Sequence, residues 1–346
     1  MSYCINPWCA ERENVDVEIG SSNFEHSNFE HSKPEKTQCC QSCGTPLLIR
    51  DRYRLIRPLR ALNEWEPSEI FEIDDLGQTK ILKVLKQKLF QPQLDREAKT
   101  LQQLEHMGVP KVAADGSFTL SMADRQIYCL VMEKIQGIDL EQWLQQNSAV
   151  NQSTALDWLR QITELLQQLH SQGLFHRDIK LSNIMLRPTG QLALIDFGTV
   201  RPMTSTYLAK VGGQREITSV ISPGYTPIEQ INGKAVPQSD FYALGRSMIY
   251  LLTGQHPSDL SESATTGQLA WRKAAKHPLS DWFVQLLDDM MAPFPGQRPP
   301  HATAVLARLQ GGSNFFLIIL VVLNIVLIVL NAITLSAWRA RRYESQ

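Results

Sequence analysis

Four side chains, close together in the sequence, have the types and spacing that a phosphoryl transfer requires. They fall in His176-Arg177-Asp178-Ile179-Lys180-Leu181-Ser182-Asn183 and in the following Asp196-Phe197-Gly198. Such a transfer asks little covalent chemistry of a protein. It needs a carboxylate to orient a hydroxyl, cations to neutralise phosphate charge, and ligands to hold metal ions. Asp178 is the candidate base for the substrate hydroxyl. Lys180 can reach the transferring phosphate and offset charge in the transition state. Asn183 offers a neutral oxygen and Asp196 a carboxylate, and hard oxygen donors suit Mg²⁺.

The elements that must position them are also legible. Ile184-Met185-Leu186 and Leu192-Ala193-Leu194-Ile195 are short apolar runs on either side of Arg187-Pro188-Thr189-Gly190. Two strands joined by such a turn make a hairpin, which returns Asp196 to Asn183. Lys83 lies in Lys80-Ile81-Leu82-Lys83-Val84-Leu85, which reads as a strand. Glu97 lies on a predicted helix with Leu101 and Leu104 as its apolar stripe. A long amphipathic helix is expected near 155–170, and an apolar helix over Phe241–Leu252.

This set resembles the catalytic loop and metal-binding turn of the protein kinases, and the resemblance runs over roughly residues 53–310. It implies an α+β, two-lobed kinase fold with a small β-rich N-lobe and a large helical C-lobe, acting with ATP and Mg²⁺ on proteins. A lysine at position 180 is similar to the serine/threonine-specific members. By resemblance, Lys83 grips the ATP phosphates and Glu97 is its helix partner. Leu130-Val131-Met132-Glu133 resembles the last N-lobe strand and hinge, and Glu133 and Asp139 are further nucleotide contacts. Ser222-Pro223-Gly224-Tyr225-Thr226-Pro227-Ile228-Glu229 resembles the end of an activation segment. There Ser222 matches the hydroxyl that meets the catalytic Asp and Lys, and Glu229 pairs with Arg298. Asp240 resembles the aspartate that braces the catalytic loop. Thr218, four residues before Ser222, is the expected activating phosphate site, with Thr204, Ser205, Thr206 and Ser219 as alternatives, Arg177 to hold the phosphate and autophosphorylation in trans as one route to it.

The pattern breaks at the nucleotide loop. Where a kinase has Gly-x-Gly-x-x-Gly, this chain has Pro58-Leu59-Arg60-Ala61-Leu62-Asn63-Glu64-Trp65-Glu66-Pro67, without glycine. Side chains there hinder close backbone approach to phosphates. Ile81 stands where a small residue is usual.

The chain has six cysteines. Cys4 and Cys9, then Cys40 and Cys43 followed by Gly44, read as two knuckles of a tetrahedral Cys4 zinc site. Cys39 is spare and Cys129 falls alone in a predicted strand. Disulfides are the alternative, but a kinase needs cytosolic ATP and the cytosol is reducing. Between the knuckles lies a tandem repeat, Ser22-Asn23-Phe24-Glu25-His26 and Ser27-Asn28-Phe29-Glu30-His31, read as a solvated insertion. His26 and His31 are the competing candidates for zinc, and are read as free surface histidines instead. This head resembles that of the cysteine-headed, eukaryotic-type serine/threonine kinases of cyanobacteria.

Phe315 to Trp338 carries no charge. At ~1.5 Å per residue it spans roughly 36 Å, enough for a bilayer core. The expected order is therefore a zinc head (1–48), a kinase domain (53–310), a transmembrane helix (315–338) and a short tail (339–346). Arg339, Arg341 and Arg342 favour a cytoplasmic C-terminus. The need for ATP, and no signal-peptide pattern, place the kinase in the cytoplasm instead. A formal charge of −1 gives no electrostatic case for nucleic acid. Two other functions compete: a pseudokinase scaffold whose head recruits a partner, favoured by the missing glycines, and a thiol switch in the head.

Overall fold

The computed structural model describes residues 2–14, 39–63, 65–104, 108–122, 125–202 and 221–311. The repeat at 22–31, Thr218 and the apolar stretch 315–338 lie outside them. Among the described residues no helix is long and apolar enough to cross a membrane. The chain divides into two units, Met1–Leu140 with Ser182–Val200, and Glu141–Leu181 with Arg201–Gln346.

In the first unit, β1 (Ser2–Tyr3) and β2 (Glu13–Asn14) pair antiparallel. Six strands form one sheet: β3 (Leu48–Ile49), β4 (Tyr53–Pro58), β5 (Ser68–Asp75), β6 (Gln78–Leu85), β7 (Ser117–Met122) and β8 (Arg125–Glu133). Their order is β3-β4-β5-β6-β8-β7. Side chains alternate between faces with period two, and this alternation sorts the core. Leu82 and Val84 of β6 and Ile127, Cys129 and Val131 of β8 pack with Ile5, Ile49, Tyr53, Leu55, Phe71 and Ile73. Leu85, Tyr128, Leu130 and Met132 face the other way, against Leu94 and Ala98, with partly buried Ile81 beside them. Ile5 belongs to the cysteine head, so the head covers one face of the sheet as part of the same unit.

Leu94 and Ala98 come from α1 (Gln91–Gln103), which has a proline in its first turn. Proline fits there because the first amides have no partner within the helix. Leu94, Glu97, Ala98 and Leu101 are buried at helical spacing. Lys83 lies on the strand between Leu82 and Val84, so it faces the α1 side with Ile81 and Leu85. A second small sheet, ordered β12-β11-β9, is made by β9 (Ile138–Asp139), β11 (Ile184–Leu186) and β12 (Leu192–Leu194). Gly137 precedes β9 with φ +129°, and a Cβ there would sit 2.0 Å from the Leu186 carbonyl oxygen. Only glycine lets β9 close on β11.

In the second unit, α2 (Leu140–Gln146) leads to α3 (Gln152–Ser171). The α3 helix starts where the Asn151 side chain accepts from the Thr154 amide at 3.0 Å. It buries Ala155, Trp158, Leu159, Ile162, Leu166 and Leu169. Strand β10 (Leu174–Phe175) pairs with β13 (Arg201–Pro202). The helices α4 (Ile228–Ile231), α5 (Pro237–Thr253), α6 (Asp281–Met290) and α7 (302–311) complete the unit. The apolar α5 is its centre, with Phe241, Leu244, Met248, Ile249 and Leu251 fully buried.

Candidate active site

The first unit holds the cation and carboxylates expected around phosphates. Lys83 Nζ donates to Glu97 Oε2 at 2.7 Å and to Asp196 Oδ1 at 3.0 Å. β6 supplies the lysine, α1 the glutamate, and the turn after β12 the aspartate. Burial works against the Lys83 charge, but Asp196 and Glu97 outweigh it and hold its pKa above the ordinary value. Burial pushes the Glu97 carboxyl up against the pull of Lys83, and Asp196 adds to the rise. One ammonium thus serves two carboxylates. Asp196 is in the left-handed region at φ +62°, where a non-glycine residue is strained. Gly198 lies against this cluster: a Cβ would approach Lys83 Nζ to 3.1 Å, Glu97 Oε2 to 3.2 Å and Asp196 Oδ1 to 3.3 Å.

Asn183 belongs to the same unit and is buried. The hairpin expected between Asn183 and Asp196 is present as β11 and β12. The Ile195 amide donates to the Asn183 carbonyl at 2.9 Å, which ties Asn183 to the residue preceding Asp196. A carboxylate and an amide oxygen are the donors that Mg²⁺ takes. Glu133 ends β8, where Lys111 N donates to its Oε2 at 3.2 Å and Arg187 lies 3.7 Å from its Oε1. Its side chain is thus engaged within the protein. Asp139 pairs with Met185 across the small sheet.

The second unit holds the candidate base. Lys180 Nζ lies 2.9 Å from Asp178 Oδ2 and donates to Ser222 Oγ at 3.2 Å. Ser222 Oγ donates to Asp178 Oδ1 at 2.7 Å. The candidate base is buried, balanced by a cation and oriented by a hydroxyl. Its loop is fixed from beneath by Asp240, in the first turn of α5. Asp240 Oδ2 accepts from the His176 amide at 2.8 Å, and Oδ1 from the Arg177 amide at 2.7 Å. His170 Nε2 lies 2.9 Å from Asp240 Oδ2. Burial alone would raise the Asp240 pKa, but His170, His176 and the Arg177 amide hold it below the ordinary carboxylate value. Arg177 has φ +71°, and its carbonyl accepts from Gln230 Nε2 at 2.7 Å. Glu229 and Arg298 pair at 2.6 Å, with Ser239 Oγ donating to the same carboxylate at 2.7 Å.

Sequence reasoning missed His170 as a partner of Asp240. The signal was present, because position 170 continues the buried stripe of α3 four residues after Leu166. It also missed the packing of Gly198 on the lysine cluster, which no local pattern reveals.

In the head, the sulfurs of Cys4, Cys9, Cys40 and Cys43 all lie within 4.8 Å of one another. Cys4 and Cys43 are 3.5 Å apart, Cys9 and Cys40 3.6 Å. Thiolates about 2.3 Å from a tetrahedral Zn²⁺ would be about 3.8 Å apart, so the set fits that ion. Burial pushes the Cys4 thiol up, whereas hydrogen bonds from Thr45 and the neighbouring thiols overcome burial at Cys43 and draw it down to about 6. Cys39 is not in the cluster; it bridges to Pro46. A cavity of about 740 Å³ beside the head is lined by Trp8, Leu48, Met122 and Arg125 and includes neither Lys83 nor Asp196. It is separate from the lysine–carboxylate cluster.

Comparison with known proteins gives a family match to the protein kinase domain over residues 74–308. The chain is 34% identical over 337 residues to serine/threonine-protein kinase F of Synechocystis sp., covering 90% of this chain and 64% of that one. It is 29% identical over 322 residues to serine/threonine-protein kinase B of the same organism, covering 90% and 52%. Serine/threonine-protein kinase PknA of Nostoc sp. is 33% identical over 225 residues, covering 65% of this chain and 39% of that one. The chain spans about half to just under two thirds of the length of the first relatives it matches. The lysine–carboxylate cluster, the braced loop bearing Asp178 and the family match over most of the sequence lead to one assignment: the chain belongs to the protein kinase domain family.

Proposed function

We propose that the chain is a serine/threonine protein kinase, transferring the γ-phosphate of ATP to Ser or Thr hydroxyls of proteins. The observation that carries this reading is the Asp178–Lys180 pair at 2.9 Å, on a loop held by Asp240. Asp178 orients the incoming hydroxyl and takes its proton, while Lys180 offsets phosphate charge as it moves. Lys83 binds the nucleotide phosphates, and Glu97 fixes the direction of its ammonium. Asn183 and Asp196 would hold Mg²⁺, which supplies charge neutralisation at the phosphates. Names borne by the relatives agree with hydroxyl amino acids as acceptors. The test is phosphate transfer from Mg-ATP to a generic protein substrate. Asp178→Asn should lower the rate by about 10²- to 10⁴-fold while the protein stays folded. Transfer at the unaltered rate by that variant would refute the assignment.

One observation favours a second reading, a nucleotide-poor scaffold: the turn 59–67 has no glycine. A wild-type chain that neither binds Mg-ATP nor transfers phosphate would establish it.

The reading extends to three features. The four-cysteine cluster holds a structural Zn²⁺, supported by its sulfur spacing. The stretch 315–338 anchors the protein in a membrane with the kinase on the cytoplasmic side. Its support is an uncharged apolar run of bilayer length, and release of the full chain by alkaline carbonate would refute it. Autophosphorylation at Thr218 orders the activation segment for signalling, with Arg177 as the phosphate's partner. Mass spectrometry of active enzyme should find that phosphate, and full activity without any phosphate between 196 and 229 would exclude it.

A further inference from the structure

In the kinase reading, the turn joining β4 to β5 approaches the nucleotide phosphates without the glycines that usually permit it. A glycine turn brings backbone amides close because no Cβ intervenes. Here every residue from Leu59 to Pro67 has a side chain, and contacts from outside the turn hold its path. Asn63 is the point at which this happens. Its side-chain oxygen accepts from the Trp65 amide at 3.0 Å, and its carbonyl accepts from the Glu66 amide at 3.3 Å. The same carbonyl accepts from Lys86 Nζ at 2.6 Å. The Lys86 amide also donates to the Pro67 carbonyl at 3.0 Å, so one residue holds both the middle and the end of the turn.

Lys86 is itself held. Its ammonium lies 3.2 Å from Glu69 Oε1, and Glu69 accepts from Arg12 Nη1 at 2.9 Å. Arg12 comes from the cysteine head, where its Nε donates to the Cys4 carbonyl at 3.0 Å and its Nη2 to the Ile5 carbonyl at 3.4 Å. Cys4 is one of the four clustered cysteines. The side chains of Arg12, Glu69 and Lys86 are 10%, 4% and 7% exposed, so solvent screens these charges little. Two cations share one carboxylate, and the second cation is completed by a carbonyl of the turn.

We propose that Arg12, Glu69 and Lys86 are positioning residues for the nucleotide, holding the glycine-free turn through Asn63 and making the cysteine head part of the nucleotide site. The proposal rests on the kinase reading above. It implies that the head sets ATP affinity rather than the rate of transfer, because none of the three residues belongs to the pair that handles the hydroxyl.

The test uses the full chain and its variants Lys86→Met, Arg12→Gln and the double variant. Affinity for a non-hydrolysable Mg-ATP analogue is measured by calorimetry, and amide exchange over 59–67 by mass spectrometry. Lys86→Met should weaken nucleotide binding by about 5- to 10-fold and Arg12→Gln by about 3- to 5-fold, from misplacement of the turn alone. The double variant should be no weaker than Lys86→Met, because both act through one chain of contacts. Exchange should quicken at 59–67 while β6 and β8 stay protected, and kcat at saturating ATP should stay within about 2-fold. If Arg12→Gln fails to fold, Arg12→Lys keeps the charge, loses the double clamp on the head carbonyls, and should give the same shifts. Unchanged nucleotide affinity in folded Lys86→Met, multiplying single effects, or exchange rising across the whole sheet would each overturn the proposal while leaving the kinase assignment standing. A wild-type chain with no nucleotide affinity would overturn both.

Discussion

At the scale of single residues, the site depends on how many charges share each counter-charge. Lys83 serves both Glu97 and Asp196, and Gly198 is packed against all three. Contacts of 3.1–3.3 Å from an added Cβ are tight, and the neighbours are the charged atoms of the cluster. Gly198→Ala should therefore displace the lysine cluster by a few tenths of an ångström and lower kcat/KM about 3- to 10-fold, with little change in folding stability. Steady-state kinetics beside a urea titration checks this, and kinetics equal to wild type would show that the cluster yields without consequence. The residues of the catalytic loop were legible in the sequence because their chemistry confines them to a few types at fixed offsets. Gly198 was legible as a motif member only. Its contact with Lys83 joins a turn to a strand more than a hundred positions away, and no local pattern records that.

At the scale of elements, the brace on the catalytic loop is a helix terminus. Asp240 lies in the first turn of α5, where an anion is favoured, and gathers the His176 and Arg177 amides with His170. Its folded pKa is depressed. The stability it confers is therefore present above its unfolded value of about 3.9 and is lost as pH falls through the lower folded value. Asp240→Asn should cost about 2–3 kcal/mol at pH 7. Its urea midpoint should also fall less than that of wild type between pH 5 and pH 3. Parallel acid profiles for the two proteins would remove Asp240 from the acid response. Glu229 and Arg298 of the same unit form a buried pair, and Arg298→Met leaves a carboxylate without its cation. That change should destabilise by about 3–5 kcal/mol, read as a lowered denaturation midpoint. A midpoint within experimental scatter of wild type would make the pair dispensable.

At the scale of the whole molecule, the cysteine head belongs to the sheet's own unit. Ile5 is in the core shared by Tyr53, Leu55 and Phe71, and Arg12 is paired with Glu69 of β5. Purified protein should bind about one Zn²⁺ per chain, as a single four-thiolate site requires. Cys40→Ser should lower that content sharply, and Cys39→Ser should not, because Cys39 stands apart from the cluster. Equal losses in the two variants would mean a different ligand set. Removing the metal should also loosen the adjoining sheet, since Cys4 and Ile5 are joined in sequence and Ile5 is buried in that core. Thermal unfolding of chelated protein measures this effect.

Residue types and local patterns in the chain were enough to pick out the candidate site and most of the elements. Asp178, Lys180, Asn183 and Asp196 stood out because the proposed phosphoryl transfer confines such groups to particular residue types. The strands and helices that hold them follow from period-two and 3.6-residue apolar patterns, which are local properties of the chain. The four clustered cysteines were likewise legible from their spacing. Packing of the folded chain set which face of the sheet the head covers, brought His170 to Asp240, and joined Arg12, Glu69 and Lys86 beside the turn 59–67. These are pairings of charged or aromatic side chains far apart in sequence. A lone arginine or lysine has no periodicity to mark it as buried, and its partner is fixed only when packing brings two distant surfaces together.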